Sequence, residues 1–133
     1  MEFSGQYLTY EEYRLLGGTL DLMPFNILEY EVRRKIDIRT QNRLKNLNII
    51  PQEVKMCEYR MISSVDSYVK SIDSIDENGS KTSISTDGYS ESYATPMQIK
   101  EIISSKQVEL EDIMRSYLIG VVANNEHIMY VGV

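Results

Sequence analysis

The chain has 133 residues, 42% hydrophobic and 26% charged, which suits one globular domain with a modest core and excludes a disordered tail. Its formal charge of −6 falls wholly in residues 51–133, where seven Lys/Arg stand against thirteen Asp/Glu; residues 1–50 carry seven of each. That balance excludes the general phosphate grip of a basic nucleic-acid binder, and no apolar run reaches the roughly 18–20 residues of a membrane span.

Taken from the start, Met1–Gln6 shows neither the basic opening nor the apolar core of a secretory leader. Thr9-Tyr10-Glu11-Glu12 fits a capping box, in which the Thr9 hydroxyl and the Glu12 carboxylate each take a free backbone N–H. A helix over 10–16 is expected, ended by Gly17-Gly18. The second helix is predicted over 24–44, with Asp21 or a neighbour as cap and Pro24 in its first turn. Phe25, Leu28, Val32 and Ile36 share one face, while Ile27, Tyr30 and Ile38 make a weaker second strip, so this helix is expected to have neighbours on two sides. Glu29–Arg33 and Glu31–Lys35 are spaced as i,i+4 ion pairs. Lys35, Arg39 and Arg43 line up one turn apart as a basic row. Such a row is read as solvated, as an inter-subunit salt bridge to the acidic second half, or as a contact with passing phosphates.

Pro51 opens a third helix, over 51–72, on the stripe Val54, Cys57, Met61, Val65, Tyr68 and Ile72. Cys57 lies inside that stripe and reads as a small buried hydrophobe. As the one cysteine of the chain it rules out an internal disulfide and fits a reducing compartment. Thr82–Ala94 then breaks the helical pattern. Asp87-Gly88 tolerates a tight type I′ turn, and Ser, Thr, Ile, Tyr and Glu alternate around it, so the stretch reads as a projecting ribbon or, alternatively, a solvated loop. Thr95-Pro96-Met97-Gln98 repeats the capping signal and starts a fourth helix, predicted over 96–119 with a bend allowed at Ser104-Ser105. The tail Glu126–Val133 has strand composition with no apolar strand elsewhere to pair with. It either packs on the helices or adds to a sheet in another molecule.

No residue set for catalysis, cofactor or metal stands out. Cys57 and His127 are single and far apart, no phosphate-loop or dinucleotide glycine pattern occurs, and Asp73, Asp76 and Glu77 are out of step for a calcium loop. The expected fold class is mainly α: a small bundle of about four helices, with a hairpin-like ribbon at about 82–94 and an extended C-terminal segment. Ile84, Tyr89, Tyr93, Tyr130, Val131 and Val133 are the candidate protein-contact residues, and Lys35, Arg39 and Arg43 the candidate inter-subunit or channel charges.

Several motifs are familiar together. Tyr7-Leu8-Thr9-Tyr10-Glu11-Glu12-Tyr13 with Gly17-Gly18, then Phe25-Asn26-Ile27-Leu28-Glu29-Tyr30-Glu31 before an Arg/Lys-rich helix, resemble the head–tail connector (adaptor) proteins of long-tailed bacteriophages and prophages. Asp87-Gly88-Tyr89-Ser90-Glu91-Ser92-Tyr93 and the ending Tyr130-Val131-Gly132-Val133 are similar too, though Val131 stands where such proteins tend to carry a basic residue. The resemblance covers nearly the whole chain, residues 1–133 as one connector domain. It implies a structural virion protein with no enzymatic activity and no cofactor, made in the bacterial cytoplasm and placed in the neck. There it would form a ring, of about twelve subunits by resemblance, under the portal protein. The ring would extend the DNA channel without sequence-specific binding and dock a head-completion stopper or tail component. The competing reading is a helix-turn-helix DNA-binding regulator built on helices two and three, favoured by Arg33, Arg34, Arg39 and Arg43 and disfavoured by the acidic balance.

Overall fold

The computed structural model describes residues 5–45, 47–76, 94–123 and 126–129. These form α1 (Tyr10–Leu15), α2 (Leu22–Arg39), α3 (Gln52–Asp76), α4 (Pro96–Ser105), α5 (Gln107–Leu118) and a minimal strand pair, β1 (Val122–Ala123) and β2 (Glu126–His127). The chain is a helical bundle in which α3 is central, packing on α2, α4 and α5. One continuous core runs from Tyr7 and Leu8 through Phe25, Met61 and Leu110 to Met129.

Both capping boxes form as their sequences require. The Glu12 N–H donates to Thr9 Oγ1 while the Thr9 N–H donates to Glu12, and Thr95 with Gln98 repeats the arrangement at α4. Gly17 takes a positive φ of 108° to leave α1. Gly18 sits so close under the Tyr13 ring that a Cβ there would overlap it. That approach lets the Tyr13 hydroxyl accept the N–H groups of Thr19 and Leu20 at 3.1 and 3.0 Å, folding the connector back onto α2. Tyr13 also lies 4.7 Å, centroid to centroid, from Phe25 and 5.9 Å from Tyr59, so an aromatic cluster joins α1, α2 and α3.

The second helix begins at Leu22 and stops at Arg39, short of the expected 44. Gln41 and Asn42 turn left-handed, at φ 54° and 62°, and the Asn42 N–H donates to the Asp37 carbonyl, closing the last turn without a glycine. The expected fourth helix is two helices, broken at Lys106. There the Ser105 hydroxyl donates to the Ile102 carbonyl and competes with the helical ladder.

On α3 the stripe Val54, Cys57, Met61 and Val65 is buried as expected, but Tyr68 is 40% exposed. Ile62 and Val69 are buried beside it, because α3 has neighbours on more than one side. The tail departs further from expectation. Glu126–His127 does find a partner within the chain: it pairs antiparallel with Val122–Ala123, in register Val122↔His127. The Ile128 N–H then donates to the Val121 carbonyl, and Ile128 and Met129 are wholly buried, so this part of the tail belongs to the core. The expected ribbon, apart from Ala94, lies outside the described residues, as do Ile84, Tyr89, Tyr93, Tyr130, Val131 and Val133.

Candidate functional site

The basic row on α2 separates into three different situations. Arg39 Nε donates to Glu111 Oε2 on α5 at 2.9 Å, and Arg43 Nη1 donates to the His127 carbonyl at 3.2 Å. The opposite charge expected in a neighbouring subunit is thus met, for Arg39, inside the same chain. Lys35, with no hydrogen bond or ion pair among the described residues, lines a groove of about 210 Å³ between α2 and α4. Its lining includes Arg34, Ile38 and Lys100, with Glu31 as its one carboxylate. The pair Glu29–Arg33 forms at 3.2 Å, whereas Glu31 and Lys35 do not close to a salt bridge.

The second apolar strip of α2 explains the groove. As expected, α2 has neighbours on more than one side, α3 and α4 with α1, and Ile27 packs on the core; but Tyr30 and Ile38 are 41% and 71% exposed, so α4 leaves that end of the strip uncovered. Tyr30, Arg34 and Ile38 step by four and share a face, which puts an exposed isoleucine among cations. Sequence reasoning found Lys35 but missed Arg34, Ile38 and Lys100 as one surface. The signal was there in the sequence, where Ile38 follows Arg34 by one helical turn.

A second cluster is largely internal. The Tyr7 hydroxyl donates to Asp37 Oδ1 at 2.5 Å and the Tyr7 N–H to Glu29 Oε2 at 3.1 Å, while Gln6 Nε2 donates to Asn26 Oδ1 at 2.9 Å. Glu58 of α3 enters the same region and, like Glu29, exposes no surface. Burial first, and then the Glu29 carboxylate beside it, hold the Glu58 carboxyl well above the usual carboxylate range. Burial also raises Glu29, against the opposing pull of the Arg33 guanidinium, and burial followed by the Asp37 hydrogen bond raises Tyr7. Shifted carboxyls often mark active sites. These two have no access to solvent, so the arrangement acts as a clamp joining the segment before α1 to α2 and α3.

Other expected features are placed plainly. Cys57 is buried with its Sγ 3.7 Å from Met61 Sδ, and burial pushes its thiol up, the opposite of nucleophile activation. His127 is exposed. A wider groove, about 430 Å³, lies between α3 and α5 at Arg60, Ser64, Tyr68, Lys106 and Glu109. Its groups bond one another: Ser64 Oγ donates to Glu109 Oε2 at 2.5 Å, Lys106 Nζ to Glu109 Oε1 at 2.7 Å, and the Lys106 ammonium lies 5.4 Å over the Tyr68 ring. Among the described residues no group of His, Cys, Asp and Glu is arranged to hold a metal ion, and no helix is long and apolar enough to cross a membrane.

No family model, curated protein or solved structure matches this chain.

Proposed function

We propose that the chain is a structural head–tail connector of a long-tailed bacteriophage or prophage, forming a ring under the portal protein that extends the DNA channel and receives the next neck component. One observation carries the reading: the motif residues that resemble connector proteins are those that close the N-terminal half of the bundle. Tyr7 anchors to Glu29 and Asp37, Thr9 and Glu12 start α1, Tyr13 and Gly18 make the turn, and Phe25 fills the aromatic cluster. The likeness therefore rests on residues that shape the fold. The −6 charge fits a channel wall that does not grip DNA.

The helix-turn-helix alternative has less support. That motif joins its helices through a turn of roughly 3–4 residues, whereas residues 40–51 separate α2 from α3. Two of its arginines, Arg39 and Arg43, bond within the chain. Negative-stain imaging of the protein mixed with its cognate portal tests the connector reading. Rings capping the portal are expected. Portals left bare at micromolar protein, together with a steeply salt-dependent gel shift on duplex DNA, would favour the regulator instead.

A further inference from the structure

We propose that the groove between α2 and α4 is the seat for a second copy of this chain, which places the Val108–Asp112 face of its α5 against Ile38. The inference deepens the connector reading by naming a subunit contact, yet it stands on the surface of this chain and does not require a portal.

The groove has an unusual composition for a merely solvated face. Arg34, Lys35 and Lys100 converge there with a single carboxylate, Glu31, and none of the three cations has a hydrogen bond or ion pair among the described residues. Ile38 stands between them, 71% exposed, on a helix whose opposite face is locked in the core. A fitting occupant is apolar at its centre and acidic at its edge. Among the described residues, five apolar side chains are exposed by 70% or more: Leu15, Ile38, Ile49, Met97 and Val108. Val108 is the one set in an acidic run, Val108-Glu109-Leu110-Glu111-Asp112. Glu109 and Glu111 are taken by Lys106 and Arg39. Asp112 is exposed, one turn from Val108 on the same face of α5, and has no ion pair among the described residues. Each copy thus carries both halves of the contact on rigid helices, so association orders little. A phosphate backbone would use the same cations, but it has no use for Ile38 and would meet a chain of net charge −6.

Sedimentation velocity on the whole chain, at low and high salt, tests this. Wild type should self-associate, and less so at high salt, where charges are screened beyond about 3–8 Å. Lys35→Glu/Lys100→Glu, Asp112→Lys and Ile38→Asp should each raise the dissociation constant about tenfold or more. All four positions lie on the surface, so unchanged circular dichroism melts will show that folding is intact. Mixing the Lys35→Glu/Lys100→Glu variant with the Asp112→Lys variant should restore association, because each then offers the other a complementary face. A monomeric wild type, association that no variant changes, or a mixture that stays apart overturns the proposal. So does duplex DNA binding through Lys35 and Lys100 without self-association. Portal capping by a protein that fails these tests would leave the connector reading standing, and self-association without portal capping would do the reverse.

Discussion

Glu58 meets Glu29 where neither carboxyl is exposed, so the folded chain keeps a proton there that the unfolded chain releases in the ordinary carboxylate range. The stabilisation this gives is complete below that range and is lost as pH rises through it towards the raised folded value. Glu12 and Glu109 work the other way. Partial burial opposes ionisation of Glu12, but Lys55 and the Thr9 N–H outweigh it, and Lys106 with Ser64 lowers Glu109. Their contributions are present above the ordinary range and lost as pH falls. Glu58→Gln mimics the protonated form and can donate to Glu29. Thermal melts should show it more stable than the parent at pH 8, by on the order of 5 °C, and indistinguishable near pH 4. A variant whose pH profile parallels the parent would mean that Glu58 ionises without cost, in the presence of Glu29, Asp37 and Arg33. At Gly18, an alanine must displace the Tyr13 ring and its two N–H bonds, and urea titration should register a loss of about 1–3 kcal/mol.

At the scale of elements, the capped starts of α1 and α4 were legible, as was the glycine end of α1, and the end of α2 was not. Thr9–Glu12 and Thr95–Gln98 announce α1 and α4 because a capping box is built from four consecutive residues. The end of α2 is made by Thr40, Gln41 and Asn42, none of them Gly or Pro, so no breaker marks it. The strand pair escaped notice because its first member is only Val122–Ala123, directly before the tail. The location of Ile128 and Met129 revises what the tail does. Deleting residues 126–133 removes two wholly buried side chains, each worth about 2–5 kcal/mol as a cavity, and should abolish the cooperative melt. Deleting 130–133 leaves those two in place and serves as the test of a contact role for Tyr130, Val131 and Val133. The α2–α5 tie is smaller: a double-mutant cycle on Arg39 and Glu111, both partly exposed, should give a coupling of about 0.5–1 kcal/mol.

For the molecule as a whole, the helical bundle could be read from apolar periodicity, because Phe25–Ile36 and Val54–Val65 each recur at the helical step. Periodicity does not say how far a neighbour covers a stripe: α2 does pack on α1, α3 and α4, yet Tyr30 and Ile38 of its second strip stay exposed. Likewise Lys35, Arg39 and Arg43 look equivalent in sequence. Their partners lie 72 positions away for Arg39 and 84 for Arg43, a pairing that only the fold makes. The core itself offers a blunt check: Met61→Asp puts an unpaired charge at a site with no exposure and should unfold the chain, a loss of several kcal/mol visible as a missing thermal transition. Ile113→Asp, at a half-buried position, should be milder.

Glu12 does two things at once, accepting the Thr9 N–H that starts α1 and pairing with Lys55 at the start of α3. A helix as short as α1 falls well below the roughly 12–15 residues at which isolated helices begin to persist in water. Its first turn is therefore tied to a side chain more than forty residues downstream, and with Tyr13 packed on Tyr59 of the same helix α1 is expected to open together with the start of α3. In hydrogen exchange, the amides of Tyr13 to Leu16 should be released together with the early turns of α3, in one foldon, instead of fraying ahead of them. Lys55→Met would cut that link. The α1 amides should then exchange faster while the α3 amides around Met61 keep their protection.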